Sequence, residues 1–284
     1  MGLDKSNFLI RAFSGIVYAG LLIGAIVLGP IASALLFSVF ALLATYEFES
    51  KLIAGFNPGN WKIFWIIDAG SIIFLILGLG LNVYGASLLV IFAILLIFTR
   101  FLMQIFIPQK NPVRSIATFT LELVYIGVPL TLLALGVCVI PNPWIIICII
   151  SMIWISDTGA YIVGSLFGRH KMYPRLSPKK SWEGFFGGLL FNIGAAFIFF
   201  YCFKLNGLSF IANVDGWIFI GLIVTVFATA GDLFESMIKR AIKIKDFGNI
   251  IPGHGGILDR IDSLLCVVPA VVIAIYFTEL MFGV

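Results

Sequence analysis

An all-α integral membrane protein that crosses the bilayer about nine times is the fold class this sequence predicts. Three observations predict it. Of 284 residues, 61% are hydrophobic and 11% charged, with a mean hydropathy of +1.12; a water-soluble domain carries about 25% charged residues. Apolar runs approaching the roughly 20 residues a spanning helix needs recur along the whole chain. The Lys and Arg residues fall almost entirely on one side of the topology those runs define.

The runs, taken in order, are Phe13–Leu28, Ile31–Tyr46, Ile63–Leu81, Tyr84–Ile107, Ile116–Ile140, Trp144–Phe167, Phe185–Phe203, Trp217–Ile238 and Ser263–Phe282. Helix is the expected state of each, because hydrocarbon offers no partner to an open backbone. Charges ahead of the first run resemble a signal peptide, but no small-residue cleavage pattern follows, so a retained helix is expected. The first two runs are short and joined by Gly29-Pro30, which predicts a tight or partly inserted hairpin. Spans one to five (residues 1–142) form an N-terminal membrane region. Spans six to nine (residues 143–284) form a C-terminal region with polar loops, and no room is left for a soluble domain. Cys138, Cys148, Cys202 and Cys266 all lie in apolar runs, which predicts small buried side chains rather than disulfides or zinc ligands.

With the N-terminus inside and the C-terminus outside, 17 of the 18 basic residues are cytoplasmic. They are Lys5 and Arg11; Lys51 and Lys62; Arg100, Lys110 and Arg114; Arg169, Lys171, Arg175, Lys179 and Lys180; and Lys239, Arg240, Lys243, Lys245 and Arg260. Lys204 alone lies outside. The bias favours this direction, and chemistry is expected at the inner face.

The most polar stretch, GDLFESMIKRAIKIKDFGNIIPGHGGILDRIDS, runs from Gly231 to Ser263. Asp232 and Glu235 share a helix face, and Glu235 can pair with Lys239 four residues on. Asp232 closes a long apolar run, so it is expected near membrane depth, where an ionisable group usually lines a functional cavity. Gly248, Gly253, Gly255, Gly256 and Pro252 interrupt helix and permit close backbone approach to a ligand. Asp259 and Asp262, three apart at the opening of the last span, share a face, and the loop returns Asp246 towards them. A favourable helix dipole is the plainer explanation of Asp259 and Asp262. Several carboxylates meeting without nitrogen or sulfur ligands would instead suit a hard cation such as Mg²⁺. Interleaved Lys and Arg are what polyphosphate chemistry needs in addition. The expectation is one cation-holding pocket fed by Asp232, Asp246, Asp259 and Asp262.

Two further segments matter. SDTGAY puts Asp157 inside the sixth span, between a cavity role and a helix–helix hydrogen bond. LSPKKSWEG reads as a loop ending at Ser181, the N-cap of the seventh span, with Lys179 and Lys180 placed to meet a nucleotide phosphate. Asp68 and Glu122 belong to no local cluster in the sequence, and interhelical hydrogen bonding or proton sharing is as open to them as catalysis. His170 is expected to be solvated. His254 is open to phosphate donation or to a turn role.

The string Ser236-x-Ile238-Lys239-Arg240, Lys245-Asp246-x-Gly248 and His254-Gly255-Gly256-Ile257-x-Asp259-Arg260-Ile261-Asp262 resembles the signature of the phosphatidate cytidylyltransferases. SDTGAYIVG and LSPKKSWEG are similar to other segments of that family, with Ser181 standing where Thr is expected and the hydroxyl kept. The resemblance covers Trp154 to Ser263. It implies transfer of the cytidylyl group of CTP to phosphatidate, giving CDP-diacylglycerol and pyrophosphate for phospholipid biosynthesis. It further implies Mg²⁺, with a second cation such as K⁺, a homodimer, and a bacterial inner membrane with the site facing the cytoplasm. In that frame Asp232 and Asp259 are the main metal ligands, followed by Asp246 and Asp262. Lys239, Arg240 and His254 act in catalysis. Lys179, Lys180, Ser181, Ser236, Lys245, Arg260 and Asp157 contact substrate. CTP, phosphatidate and the bilayer are the expected partners, and nucleic acid is not. Two other classes stand beside this one: a CTP-dependent polyprenol or lipid kinase, which needs a base for a neutral hydroxyl, and an ion-coupled transporter with Asp68, Glu122 and Asp157 as relay.

Overall fold

The computed structural model describes residues 5–53, 61–82, 85–108, 110–140, 142–205, 213–250 and 255–282. Side chains are described within residues 13–276 of those ranges. Helix α1 (Lys5–Leu28) gives way to α2 (Pro30–Leu52) at Gly29, whose φ of 101° suits glycine, with Pro30 starting the next helix. Both helices are longer than the apolar runs alone suggest. Helices α3 (Trp61–Gly80) and α4 (Leu88–Phe106) follow. Asn111 then caps α5 (Pro112–Glu122) by accepting the Arg114 amide at 3.0 Å.

A π-helical turn, Leu123–Gly127, joins α5 to α6 (Val128–Val139). Pro129 sits just beyond it, and a ring with no N–H cannot continue the ordinary ladder there. The fifth run is thus one rod with a widened turn. The remaining elements are α7 (Pro143–Phe167), strands β1 (Lys171–Tyr173) and β2 (Ser177–Ser181), α8 (Trp182–Leu205), α9 (Val214–Ala241) and α10 (Leu258–Phe282). Seven helical rods among the described residues are long and apolar enough to span a bilayer: α2, α3, α4, α5 through α6, α7, α8 and α9. The protein is an all-α polytopic membrane protein. One local expectation is corrected: residues 171–181 are an antiparallel hairpin with Lys171 opposite Ser181, not an irregular loop.

Two compact units make up the chain. The first combines Met1–Pro143 with Ile242–Ile261. Within it α3 is central and packs on α2, α4 and α6, around buried Phe37, Phe64, Ile72, Ile76 and Ile126. Most of α4 is exposed apolar surface, as a lipid-facing helix requires, and only Ala93 and Arg100 are buried. The second unit combines Trp144–Ala241 with Asp262–Val284. There α7 and α8 approach through small residues: a Cβ on Gly188 would stand 2.8 Å from the Ser156 carbonyl oxygen. Asn192 of α8 donates to Thr225 Oγ1 of α9 at 2.9 Å, and Trp217 stacks on Phe203 at 5.5 Å. None of the four cysteines forms a disulfide, and the expectation of burial is corrected: Cys138, Cys148 and Cys266 are half-buried and Cys202 is exposed.

Candidate functional site

In the second unit, α9 and α10 touch at Gly231. A side chain there would lie 2.8 Å from the Asp262 carbonyl oxygen and 3.1 Å from Ser263 Cα. That contact sets the next residue, Asp232, against the opening of α10. Asp232 Oδ1 lies 3.5 Å from Ser263 Oγ, and Asp262 Oδ1 accepts the Ser263 amide at 2.7 Å, so both carboxylates meet at Ser263. Lys180 completes the group, with Nζ 2.6 Å from Asp232 Oδ2 and 3.3 Å from the Thr229 carbonyl.

The hairpin and the α8 cap aim Lys180. The Trp182 amide donates to the His170 carbonyl at 3.0 Å, and Ser181 Oγ accepts the Gly184 amide at 3.2 Å, as an N-cap does. Asp157, Lys179, Lys180, Ser181, Thr229 and Asp232 line one cavity of about 660 Å³, a volume within the range of small-molecule sites. Its wall mixes carboxylate, ammonium and hydroxyl groups. Asp157 and Asp232 bring only hard oxygen donors to a wall that also carries Lys179 and Lys180, and that set fits a hard cation beside a polyanion.

The first unit holds the glycine loop. Gly255 is left-handed, with φ 88°, and brings the chain back so that Asp259 Oδ2 accepts two amides, from Phe247 at 3.0 Å and Gly256 at 2.9 Å. Lys245 and Asp246 are exposed on this loop, and Arg260 is exposed in the first turn of α10. His254, Pro252 and Gly253 lie outside the described residues. On α9, Glu235 and Lys239 form the i,i+4 ion pair the spacing implies. Ser236 is half-buried and Arg240 exposed.

Three expectations are corrected. Asp68 and Glu122 do belong to a cluster: with Glu49 of α2 they offer carboxylate oxygens within 4.8 Å of one another, all buried. Sequence distance hid this, since the three acids come from α2, α3 and α5. Arg100 is not a loop residue but the buried cation of α4. Its Nε lies 2.7 Å from Asp68 Oδ1, its Nη2 donates to Ser115 at 2.9 Å, and its guanidinium sits 4.2 Å above the Phe64 ring. His170 is solvent-exposed as expected, yet its Nδ1 pairs with Glu183 Oε1 at 2.6 Å.

Glu47 was the residue hardest to foresee. Its oxygens accept the Ile257 and Leu258 amides at 3.1 and 3.0 Å, although it stands at the end of an ordinary-looking apolar helix. An acid two positions before another, Glu49, at the end of an apolar run is the signal the sequence offers.

A family model described as "Cytidylyltransferase family" matches residues 9–278 of this chain. The phosphatidate cytidylyltransferase of Haemophilus influenzae is 44% identical over 126 residues, 44% of this chain and 43% of that protein. The protein of the same name from Staphylococcus aureus strain COL is 44% identical over 122 residues, 42% of this chain and 44% of that protein. The Staphylococcus haemolyticus protein of that name is 44% identical over 120 residues, 42% of this chain and 44% of that protein. Each of these alignments spans less than half the length of the relative.

Proposed function

Because the chain belongs to the cytidylyltransferase family, we propose that it transfers the cytidylyl group of CTP to phosphatidate, releasing pyrophosphate and leaving CDP-diacylglycerol in the membrane. The 44% identity with relatives named phosphatidate cytidylyltransferase carries this reading. An acid- and lysine-lined cavity in a membrane protein supports it.

In the proposed reaction a phosphate oxygen of phosphatidate attacks the α-phosphorus of CTP. The new P–O bond forms as the bond to the bridging α,β-oxygen breaks, and the electron pair leaves with pyrophosphate. A phosphate monoester has its second pKa near 6, so the nucleophile is already largely ionised at neutral pH and no strong base is required. The main obstacle is bringing two polyanions together, which positioning and charge neutralisation address. Lys179 and Lys180 are assigned to the triphosphate, Lys239, Arg240, Lys245 and Arg260 to phosphate charge, Ser181, Ser236 and Asp157 to substrate contacts, and His254 to catalysis as a donor to phosphate. Asp232 and Asp259, then Asp246 and Asp262, are assigned as ligands of Mg²⁺ and a second cation. Bound there, the cations would neutralise phosphate oxygens and stabilise charge developing on the leaving group.

The nine-span topology with the N-terminus inside and the C-terminus outside belongs to the same proposal, as do a bacterial inner-membrane location, a cytoplasm-facing site and a homodimer. Phosphatidate then enters from the leaflet and CTP from the cytosol. Purified protein supplied with Mg²⁺ and each nucleoside triphosphate in turn should release pyrophosphate with CTP, and only when phosphatidate is added. Release with ATP or GTP at a comparable rate, or without lipid, contradicts the reading.

A further inference from the structure

Four backbone amides around the glycine loop are taken up by two carboxylates. Asp259 accepts those of Phe247 and Gly256 and so ties the two ends of the loop together. Glu47 accepts those of Ile257 and Leu258, the residues that open α10. The first tie is local. The second crosses 210 residues of sequence.

The loop is built around the Glu47 carboxylate. A Cβ on Gly248 would collide with Glu47 Oε1, and one on Gly256 with both of its oxygens. Neither glycine has a positive φ, so the backbone conformation does not require glycine at these positions. The requirement comes from the space Glu47 occupies. One residue further along α2, Phe48 is fully buried and lies against Phe247, ring centroids 5.9 Å apart. Helix α2 thus holds the loop at both ends, by a carboxylate at 257–258 and by an aromatic ring at 247. Glu47 is itself buried, at 2% exposure. A carboxylate in such a place is costly unless its oxygens are satisfied, and amides at a helix N-terminus satisfy them with a favourable dipole.

We propose that Glu47 is a positioning residue for the signature loop: it fixes the start of α10 and, through it, the geometry of Asp246 and Asp259. It touches no substrate in this account and acts through the loop. It also accounts for Gly248 and Gly256, two glycines of the signature, as the space this one carboxylate needs. The activity arm of the test rests on the cytidylyl-transfer reading; the exchange arm does not.

The test uses the full-length protein in detergent as wild type, Glu47→Ala, Glu47→Gln, Gly256→Ala and the double variant Glu47→Ala/Gly256→Ala. Hydrogen exchange is followed on peptides covering residues 245–262 and on peptides from α3 and α8. Losing two amide-to-carboxylate bonds should speed exchange in the loop peptides about tenfold or more, with the α3 and α8 peptides unchanged. Glu47→Gln keeps the shape and one acceptor, so an intermediate increase is expected, and this variant decides the matter if Glu47→Ala is not recovered folded. Gly256→Ala alone should loosen the loop, but added to Glu47→Ala it should cost little more, because the collision partner has gone. In the activity arm, the Mg²⁺ concentration giving half-maximal pyrophosphate release should rise about tenfold in Glu47→Gln, and excess Mg²⁺ should recover part of the rate. Unchanged loop exchange in both Glu47 variants, or fully additive effects in the double variant, overturns the proposal. A wild type inactive with CTP and phosphatidate overturns the functional reading instead, while the exchange data still decide the role of Glu47.

Discussion

At the scale of single residues, charge inside the helices is the informative quantity. Arg100 and Asp68 are fully buried and paired, and two aromatic rings flank the guanidinium. Removing one partner leaves the other buried without its nearest counter-charge, in a site that also holds Glu49 and Glu122, at a cost of about 3–5 kcal/mol. Arg100→Met and Asp68→Asn should therefore each lower the thermal unfolding midpoint in detergent markedly. The double variant Arg100→Met/Asp68→Leu should recover much of the loss; equal midpoints for all three would remove the pair from the account. Asp232 differs in kind, because it lines a cavity and is held by Lys180 rather than sealed among hydrophobic side chains. Asp232→Asn should lower CTP-dependent turnover by about 10²–10³-fold, the range seen when a site loses a principal electrostatic group, with the unfolding midpoint nearly unchanged. Asp232, Asp262 and Lys180 were legible as candidates because charge is rare in this chain, so each polar residue in a span calls for a reason. Glu47, Glu49 and the Arg100–Asp68 pair were not legible as partners. Their meeting depends on helix packing, which a single sequence does not encode as spacing.

At the scale of elements, hydropathy located the rods and small residues decide how they pack. Gly188 and Gly194 lie on the same helix, α8, but only Gly188 has no room for a methyl group: its Cβ would sit 2.8 Å from the Ser156 carbonyl, whereas Gly194 has open space. Gly188→Ala should thus cost about 1–3 kcal/mol through overpacking. Gly194→Ala should be neutral or slightly stabilising, since alanine is the better helix former. Thermal unfolding of the two variants side by side checks this, and equal behaviour contradicts the packing described. The Ser181 cap was readable from its neighbours, because a hydroxyl just before an apolar run is a local signal. The β-hairpin before it was not, because SPKKS has neither the alternation nor the β-branched residues that mark a strand. The π-helical turn at Leu123–Gly127 was likewise hidden, although Pro129 gives its physical reason in retrospect.

For the whole molecule, composition alone excluded a water-soluble fold, and the structure agrees in its class. The segment Ile242–Ile261 groups with the N-terminal helices rather than with its neighbours in sequence. Bonds from Glu47 and the ring of Phe48 give the reason, and both lie some 200 residues away from that segment. The proposed orientation is open to direct chemical labelling. In a cysteine-free background, Arg175→Cys on the hairpin should react with an impermeant thiol reagent only from the cytoplasmic side, and Lys204→Cys only from the outer side. Reaction of both from one side contradicts the nine-span topology. The claim that matters most is the identity of the group transferred, and isotope position tests it most directly. Purified protein is given phosphatidate, Mg²⁺ and CTP labelled either at the α- or at the γ-phosphate, and the lipid is extracted and counted. Cytidylyl transfer predicts label in the lipid from α-labelled CTP and none from γ-labelled CTP; the reverse pattern would make the protein a lipid kinase and contradict the account.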